Sequence, residues 1–514
     1  MNGAETLVKT LLKSDVDVCF ANPGTSEMHF VAALDQHSDM RCILCLFEGG
    51  ATGAADGYFR MKQEVAATLL HLGPGLGNGV ANLHNAKKAR SGIVNIVGDH
   101  ADYHLKYDSP LRGDLDGISG AISHATWRAP NAAAVAQNGA AAVQAARANG
   151  GQIATLILPA NTAWDQAHGP AEPMTPAPLK RPSQEEIVSA AQALSEPGAV
   201  LFVGQGALHG SQAQLAGQIA AKSGCELMAD FLVSRIERGA GAVDLTRLKY
   251  PIDENVELMR HVRQLVLCGA NRPVAFFAYP DKPGTPEPVD CRITELCGPD
   301  MDYGWTLQAI ADELGAGPSD RPALVSLDLP GIPSGHLTLE KAGAALAALL
   351  PDDAIVVDES VTSSSPLLSA TNTARRQDWL HVTGGAIGFG LPCATGAALA
   401  CPDQKTVCLT GDGSAMYTLQ SLWTMARENL DVVTIVFANR GYQILHGELA
   451  NVGAGQAGRN AARMFDVEDP TLDWVALAKG HGVAAARVTD MDEFVAALRK
   501  GLATADPYLI EVIC

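Results

Sequence analysis

Aromatic side chains are scarce: Phe, Trp and Tyr together make up 5% of the 514 residues. Glycine is plentiful instead, with 51 residues, and Ala recurs throughout, the composition that close helix–sheet packing uses. Basic charge is also short. Lys and Arg number 37 against 56 Asp and Glu, a net charge of −19 with His neutral. So acidic a surface repels phosphate backbones and anionic lipid, which excludes nucleic acid and membrane surfaces as expected partners. No apolar run approaches the ~20 residues of a membrane span. Residues 1–14 read as an amphipathic helix carrying Lys9 and Lys13, without the apolar core of a secretory leader. The eleven cysteines lie mostly inside apolar runs such as Val407-Cys408-Leu409 and are expected to be reduced core thiols of a cytoplasmic protein.

What is present is a chain built for several cores. Apolar residues reach 47% and charged residues 18%, a balance that excludes intrinsic disorder. At roughly 150 residues per domain, the length predicts three domains. Proline-dense stretches at 169–182 and 317–335 favour extended chain and mark the joints. The blocks are 1–168, 183–316 and 337–514. Each alternates short apolar strand candidates, such as those at 93–97, 199–203 and 432–437, with Ala-rich helical segments. Strands apolar without alternation are buried on both faces, so the expected fold class is α/β, with three doubly wound parallel-sheet domains.

In the third block a strand at 405–410 runs into Gly411-Asp412-Gly413-Ser414. A helix expected at 418–429 and a strand at 432–437 follow, ending in Ala438-Asn439-Arg440-Gly441-Tyr442. A 12-residue helix covers about 18 Å and a six-residue strand about 20 Å, so one crossover returns the chain parallel to its start. If the two strands are neighbours, Asp412 and Asn439 meet at the carboxyl edge, where open α/β sheets bind ligands. One carboxylate, one amide oxygen and a backbone carbonyl suit Mg²⁺ completed by phosphate oxygens and water. Ser414, at a helix start, can donate to a phosphate.

This Gly-Asp-Gly, with 25 residues between Gly413 and Asn439, resembles the metal and diphosphate motif of the thiamine diphosphate-dependent 2-oxoacid decarboxylase and acetolactate synthase superfamily. The resemblance spans nearly the whole chain. It implies a pyrimidine-binding domain at 1–168, a middle domain at 183–316 and a diphosphate-binding domain at 337–514. It assigns Asp412, Asn439 and the Gly441 carbonyl to the metal, and Gly413, Ser414 and Tyr442 to the diphosphate. Glu48 stands between the apolar run 42–47 and an Ala/Gly-rich helix start, and matches the Glu that hydrogen-bonds the cofactor's aminopyrimidine. Gly385 and Ile387, in Gly384-Gly385-Ala386-Ile387-Gly388-Phe389-Gly390, match the acceptor of the 4′-amino group and the residue that supports the folded cofactor. Because Glu48 belongs to the first block and these to the third, the resemblance implies active sites shared between subunits of a homodimer or homotetramer.

Two further segments, Asn22-Pro23-Gly24-Thr25-Ser26-Glu27 and Leu70-His71-Leu72-Gly73-Pro74-Gly75, look like those of benzoylformate decarboxylase-like members. Thr25 and His71 match a hydroxyl that positions substrate and a His that moves protons. Leu445 is expected in the substrate pocket. The stretch Arg272 to Pro280 resembles a loop that supplies a second His, but this chain has none there. The reading is a decarboxylase that converts a small-molecule 2-oxoacid to an aldehyde and CO2. An acetolactate synthase-like carboligase is the first rival, and a non-catalytic regulatory subunit the second. Gly204-Gln205-Gly206 alone does not establish a nucleotide site, so no FAD is expected. Cys42 and Cys45, without a second pair, are not expected to bind zinc.

Overall fold

Runs of apolar residues that lack polar alternation must be covered on both faces, and the computed structural model, which describes all 514 residues, covers them with helices. The first block contributes β1 (Val18–Ala21), β2 (Arg41–Leu44), β3 (Ala66–Leu70), β4 (Ile93–Asp99), β5 (Ala125–Arg128) and β6 (Ile153–Pro159). They form one parallel sheet in the order β2-β1-β3-β4-β6-β5. Every residue of β4 is buried. Its one amide, Asn95, accepts from the Thr68 hydroxyl (2.7 Å) and donates to the Thr155 hydroxyl (3.1 Å). This satisfied polar rung crosses three strands.

The middle block contributes β7 (Ala199–Val203), β8 (Glu226–Ala229), β9 (Ile236–Arg238), β10 (Thr246–Arg247), β11 (Gln264–Cys268) and β12 (Arg292–Cys297). Five of them make a parallel sheet, β10-β8-β7-β11-β12. The third block adds β13 (Ala354–Glu359), β14 (Gln377–His381), β15 (Thr406–Gly411), β16 (Val432–Ala438), β17 (Ala484–Val488) and β18 (Tyr508–Ile513). Its sheet runs β17-β18-β16-β15-β13-β14-β9, so the middle block's β9 supplies the outer edge, antiparallel to β14. The three sheets are otherwise parallel. No helix or strand falls within 169–182 or 317–335.

The first and third blocks meet through two glycine-rich helices, Glu48–Lys62 and Gly390–Ala400. A Cβ at Gly57 would fall 2.0 Å from the Cys393 carbonyl oxygen, and one at Gly396 would fall 1.8 Å from that of Ala54. Only hydrogen fits at either crossing. Beside this joint Arg60 and Asp56 form a fully buried pair (2.7 Å). Arg60 also donates to the His381 carbonyl (2.6 Å) and the Thr383 hydroxyl (3.1 Å), which anchors the segment after β14. All eleven cysteines are free thiols, and no helix is long and apolar enough to cross a membrane. One local expectation needs correction. The apolar run 42–47 is strand only to Leu44, since Cys45 to Phe47 lead the chain out of the sheet into the helix start.

Candidate active site

Strands β15 and β16 are parallel neighbours with Gly411 opposite Phe437, so Asp412 and Asn439 leave the sheet side by side at its carboxyl edge. The crossover differs from the single helix expected at 418–429. A short turn, Asp412–Ala415, is followed by a helix only at Ser421–Arg427. The Thr418 hydroxyl donates to the Gly388 carbonyl (3.0 Å), and this tertiary bond holds the intervening chain against the Gly384–Gly390 turn.

Asp412 is buried. One carboxylate oxygen accepts from the Gly413 N–H and the other from the Arg440 N–H, both at 2.8 Å. Burial pushes its pKa above the usual carboxylate value, against the pull of those two donors. Asn439 accepts from the Gly441 N–H through its side-chain oxygen (3.2 Å). The bonds fix both side chains while leaving lone pairs free. A Cβ at Gly413 would sit 2.5 Å from the Tyr442 ring, so that ring covers bare backbone. Ser414 is buried in the same turn.

Gly385 and Gly388 adopt φ of +73° and +91°, a geometry that leaves Ala386 and Ile387 on a tight loop. The first block holds this loop. Asn85 exchanges two bonds with Ala386 (2.8 and 3.1 Å), and Asn82 donates to both Gly388 (3.1 Å) and Gly49 (2.9 Å) carbonyls. Within one chain, therefore, the helix start bearing Glu48 is tied to the loop bearing Gly385 and Ile387.

From below, buried Glu359 accepts from the Phe389 N–H (2.6 Å), the Gly390 N–H (3.0 Å) and the Thr410 hydroxyl (3.1 Å). Desolvation pushes its pKa up to about 7, although these donors oppose the rise. A carboxyl with a raised folded pKa stabilises most below its unfolded value, and that contribution fades as pH climbs through the folded one. Wild type should therefore lose stability relative to Glu359→Gln between about pH 5 and about pH 8, by roughly 3 kcal/mol in all. Thermal midpoints of both proteins across that range test it; a constant difference would show that Glu359 does not titrate there.

Glu48 opens the helix Glu48–Lys62 and is 7% exposed. Its Oε2 accepts from Asn78 Nδ2 (2.9 Å), and a Cβ at Gly75 would lie 2.9 Å from its Oε1. Thr25 is exposed in the turn after β1. His71 lies across that turn, since a Cβ at Gly24 would fall 2.0 Å from its Nδ1. Sequence reasoning missed the residue that orients it. Glu27 Oε2 stands 2.8 Å from His71 Nδ1 and also accepts from the Gly24 N–H (2.8 Å), while Ser26 donates to Oε1 (2.6 Å). Glu27 is buried, and its grip on Nδ1 leaves Nε2 as the ring's free nitrogen. The signal available was an acid three residues after Gly24 in a hydroxyl-bearing turn. Leu445 is exposed on the helix Gln443–Asn451, directly after Tyr442. The hydrogen bonds of the Asp412–Asn439 group and of the Glu27–His71 group close within each group.

Residues 1–123 match the N-terminal TPP binding domain of thiamine pyrophosphate enzymes, and residues 363–512 match the C-terminal TPP binding domain. The chain belongs to the thiamine pyrophosphate enzyme family. Within that family it is 47% identical, over 100% of its length and 99% of the relative's, to a Mycobacterium tuberculosis protein named "Putative acetolactate synthase large subunit IlvX". Benzoylformate decarboxylase of Pseudomonas aeruginosa is 27% identical, with 98% and 97% of the two chains covered. The fold is that of the Rhodococcus jostii thiamine diphosphate-dependent 4-hydroxybenzoylformate decarboxylase, with a TM-score of 0.86 at 24% identity and 100% and 99% of the chains aligned. The donor chemistry suits the family's cofactor. Asp412, Asn439 and the covered backbone at Gly413 fit a metal-bound diphosphate, and the buried Glu48 carboxylate fits a partner for a ring nitrogen.

Proposed function

We propose that this protein is a thiamine diphosphate- and Mg²⁺-dependent decarboxylase that converts a 2-oxoacid to an aldehyde and CO2 without oxidation, with carboligation as a secondary outcome. Bound thiamine diphosphate supplies the electron sink that lets the carboxylate leave. The chain supplies the rest. Asp412, Asn439 and the Gly441 carbonyl hold the metal, while Gly413, Ser414 and Tyr442 line the diphosphate. The Gly385 carbonyl and Ile387 receive the pyrimidine, and Glu48 shares a proton with its ring nitrogen. Thr25 positions the substrate carboxylate, and Leu445 borders its side chain.

The observation that carries the reading is the Glu27–His71 pair. A buried carboxylate on Nδ1 fixes the imidazole and leaves Nε2 to hand a proton to the reacting carbon. That delivery favours aldehyde release over capture of a second 2-oxoacid. His71→Ala should lower CO2 release by about 100-fold or more. Chromatography of the products from a panel of 2-oxoacids tests the assignment: aldehyde is expected, and 2-acetolactate as the main product from pyruvate would overturn it. The name of the Mycobacterium tuberculosis relative favours that second reading, carboligation, which draws on the same metal- and cofactor-holding residues. A non-catalytic regulatory role is disfavoured by the retained Glu48 and Asp412.

Exposed apolar side chains gather at two carboxyl edges. Met28, Leu46, Tyr103, Tyr107 and Leu111 follow the strands of the first sheet, and Val361, Met416, Tyr417 and Leu445 follow those of the third. These rims support assembly as a homodimer or homotetramer in which a second copy covers them.

A further inference from the structure

Between Gly441 and Asp466 the chain makes an excursion whose neck is closed by backbone alone. Gly441 bridges Asp466 antiparallel, the Tyr442 N–H donates to the Phe465 carbonyl (2.7 Å), and the Val467 N–H donates to the Arg440 carbonyl (2.8 Å). Two helices, Gln443–Asn451 and Arg459–Phe465, make up the excursion, and neither has a buried residue. Gly453 and Gly455 between them adopt φ of +70° and +89° with open space around both. The helices meet through the His446 and Phe465 rings, 4.9 Å apart and edge-on. With no buried side chain of its own, the segment gains little hold on the rest of the protein from apolar packing.

What fixes it is one carboxylate. Glu448, on the first of these helices, accepts from the Tyr250 hydroxyl (3.0 Å) and the Tyr279 hydroxyl (3.2 Å), both through Oε1. No other side chain of 443–465 makes a hydrogen bond or ion pair outside the segment, since Asn451 reaches only Glu448 itself (3.4 Å). Both donors belong to the middle block and are themselves held. Tyr250 packs edge-on against Phe231 (6.0 Å), and the Lys282 ammonium lies 5.5 Å from the Tyr279 ring. Burial, the Tyr279 hydroxyl and the Glu448 carboxylate hold the Tyr250 phenol above its usual pKa, so it remains a donor through the neutral range. The helix Gln443–Asn451 begins directly after Tyr442, whose ring covers the bare backbone of Gly413.

We propose that Glu448 is a positioning residue for the cofactor: moored by Tyr250 and Tyr279, it holds the 443–465 excursion on the middle block and thereby keeps Tyr442 over Gly413. The proposal rests on the reading that Tyr442 and Gly413 line the diphosphate. Without the mooring, the excursion hangs from its backbone neck and bends at its glycine joint. The Tyr442 ring then spends part of its time off Gly413, and the apparent affinity for a group bound there falls by the same fraction. In this role the carboxylate acts through Tyr442 and not on the reacting atoms.

Trypsin reads the mooring without any cofactor, because Arg459 and Arg463 are exposed within the excursion. In the free protein, Glu448→Ala should be cleaved there about tenfold faster than wild type, with the thermal midpoint unchanged. Tyr250→Phe together with Tyr279→Phe should do the same, and adding Glu448→Ala to that pair should bring no further gain. Glu448→Gln keeps an acceptor for both phenols and should stay close to wild type. Calorimetry at fixed Mg²⁺ should show thiamine diphosphate binding about tenfold more weakly to Glu448→Ala, with Glu448→Gln again close to wild type. Unchanged cleavage in Glu448→Ala, or tyrosine and glutamate effects that simply add, overturns the mooring. Tyr442→Ala separates the proposal from the reading beneath it. If Tyr442→Ala binds the cofactor weakly while Glu448→Ala binds as wild type does, the positioning role fails and the diphosphate reading stands. If both bind as wild type does, the diphosphate reading fails and the positioning role falls with it.

Discussion

Glu48→Gln is expected to give a folded protein that still binds thiamine diphosphate and turns over at least about 100-fold more slowly, with proton exchange at the cofactor's C2 position slowed to match. The substitution preserves shape. A glutamine oxygen can accept from Asn78 Nδ2 as the carboxylate does at 2.9 Å, and the bare backbone at Gly75 leaves room for either side chain. What it removes is the ability to share a proton with a ring nitrogen, because an amide at that position does not titrate. The readout is exchange into deuterated water, followed by acid quench and proton NMR of the cofactor, with binding measured separately by calorimetry. Exchange at the wild-type rate, with cofactor demonstrably bound, would remove Glu48 from the activating role.

Asp412→Ala should act at an earlier step, lowering Mg²⁺-dependent affinity for thiamine diphosphate by on the order of 1,000-fold. Asp412 is the sole carboxylate of the proposed donor set, and it also satisfies the Gly413 and Arg440 backbone N–H groups. Alanine would therefore lose stability as well as metal, so a second variant is needed to separate the effects. Asp412→Asn can still accept a hydrogen bond from the backbone but carries no charge. It should retain most of the thermal midpoint while remaining far weaker than wild type in metal affinity. Titrations of cofactor at stepped Mg²⁺ concentrations decide the matter. A variant with wild-type Mg²⁺ dependence would show that the carboxylate does not touch the metal.

The strand pair at the candidate metal site was open to sequence reasoning because both halves are local: an apolar strand, a glycine-bounded acid, and an amide 27 residues on that closes a second strand. Its crossover was not, since the helix there gives way to a bond between Thr418 and Gly388, 30 residues apart. Glu27 was hidden for a similar reason. Its carboxylate reads locally as part of a polar turn, and its partner His71 lies 44 residues further on. The rings of Phe231, Tyr250 and Phe276 meet from three segments with no common spacing, so nothing in any one of them announces the cluster. Strand β9 is three residues long, too short for a periodic signal, and its pairing with β14 joins segments more than a hundred residues apart.

That last pairing bears on how the chain can be divided. A fragment that starts at 337 would carry β13 to β18 but not β9, leaving the outer edge of Gln377–Trp379 without its partner. It would also strip Arg238 from the face of Trp379, where the guanidinium lies 4.9 Å from the ring. A strand with a bare edge is a template for pairing with its own kind, and such a fragment is expected to self-associate through β14, read as loss of monomer on size-exclusion chromatography. The middle block thus covers the outer edge of its neighbour's sheet, and a fragment meant to hold that sheet whole must begin upstream of Ile236.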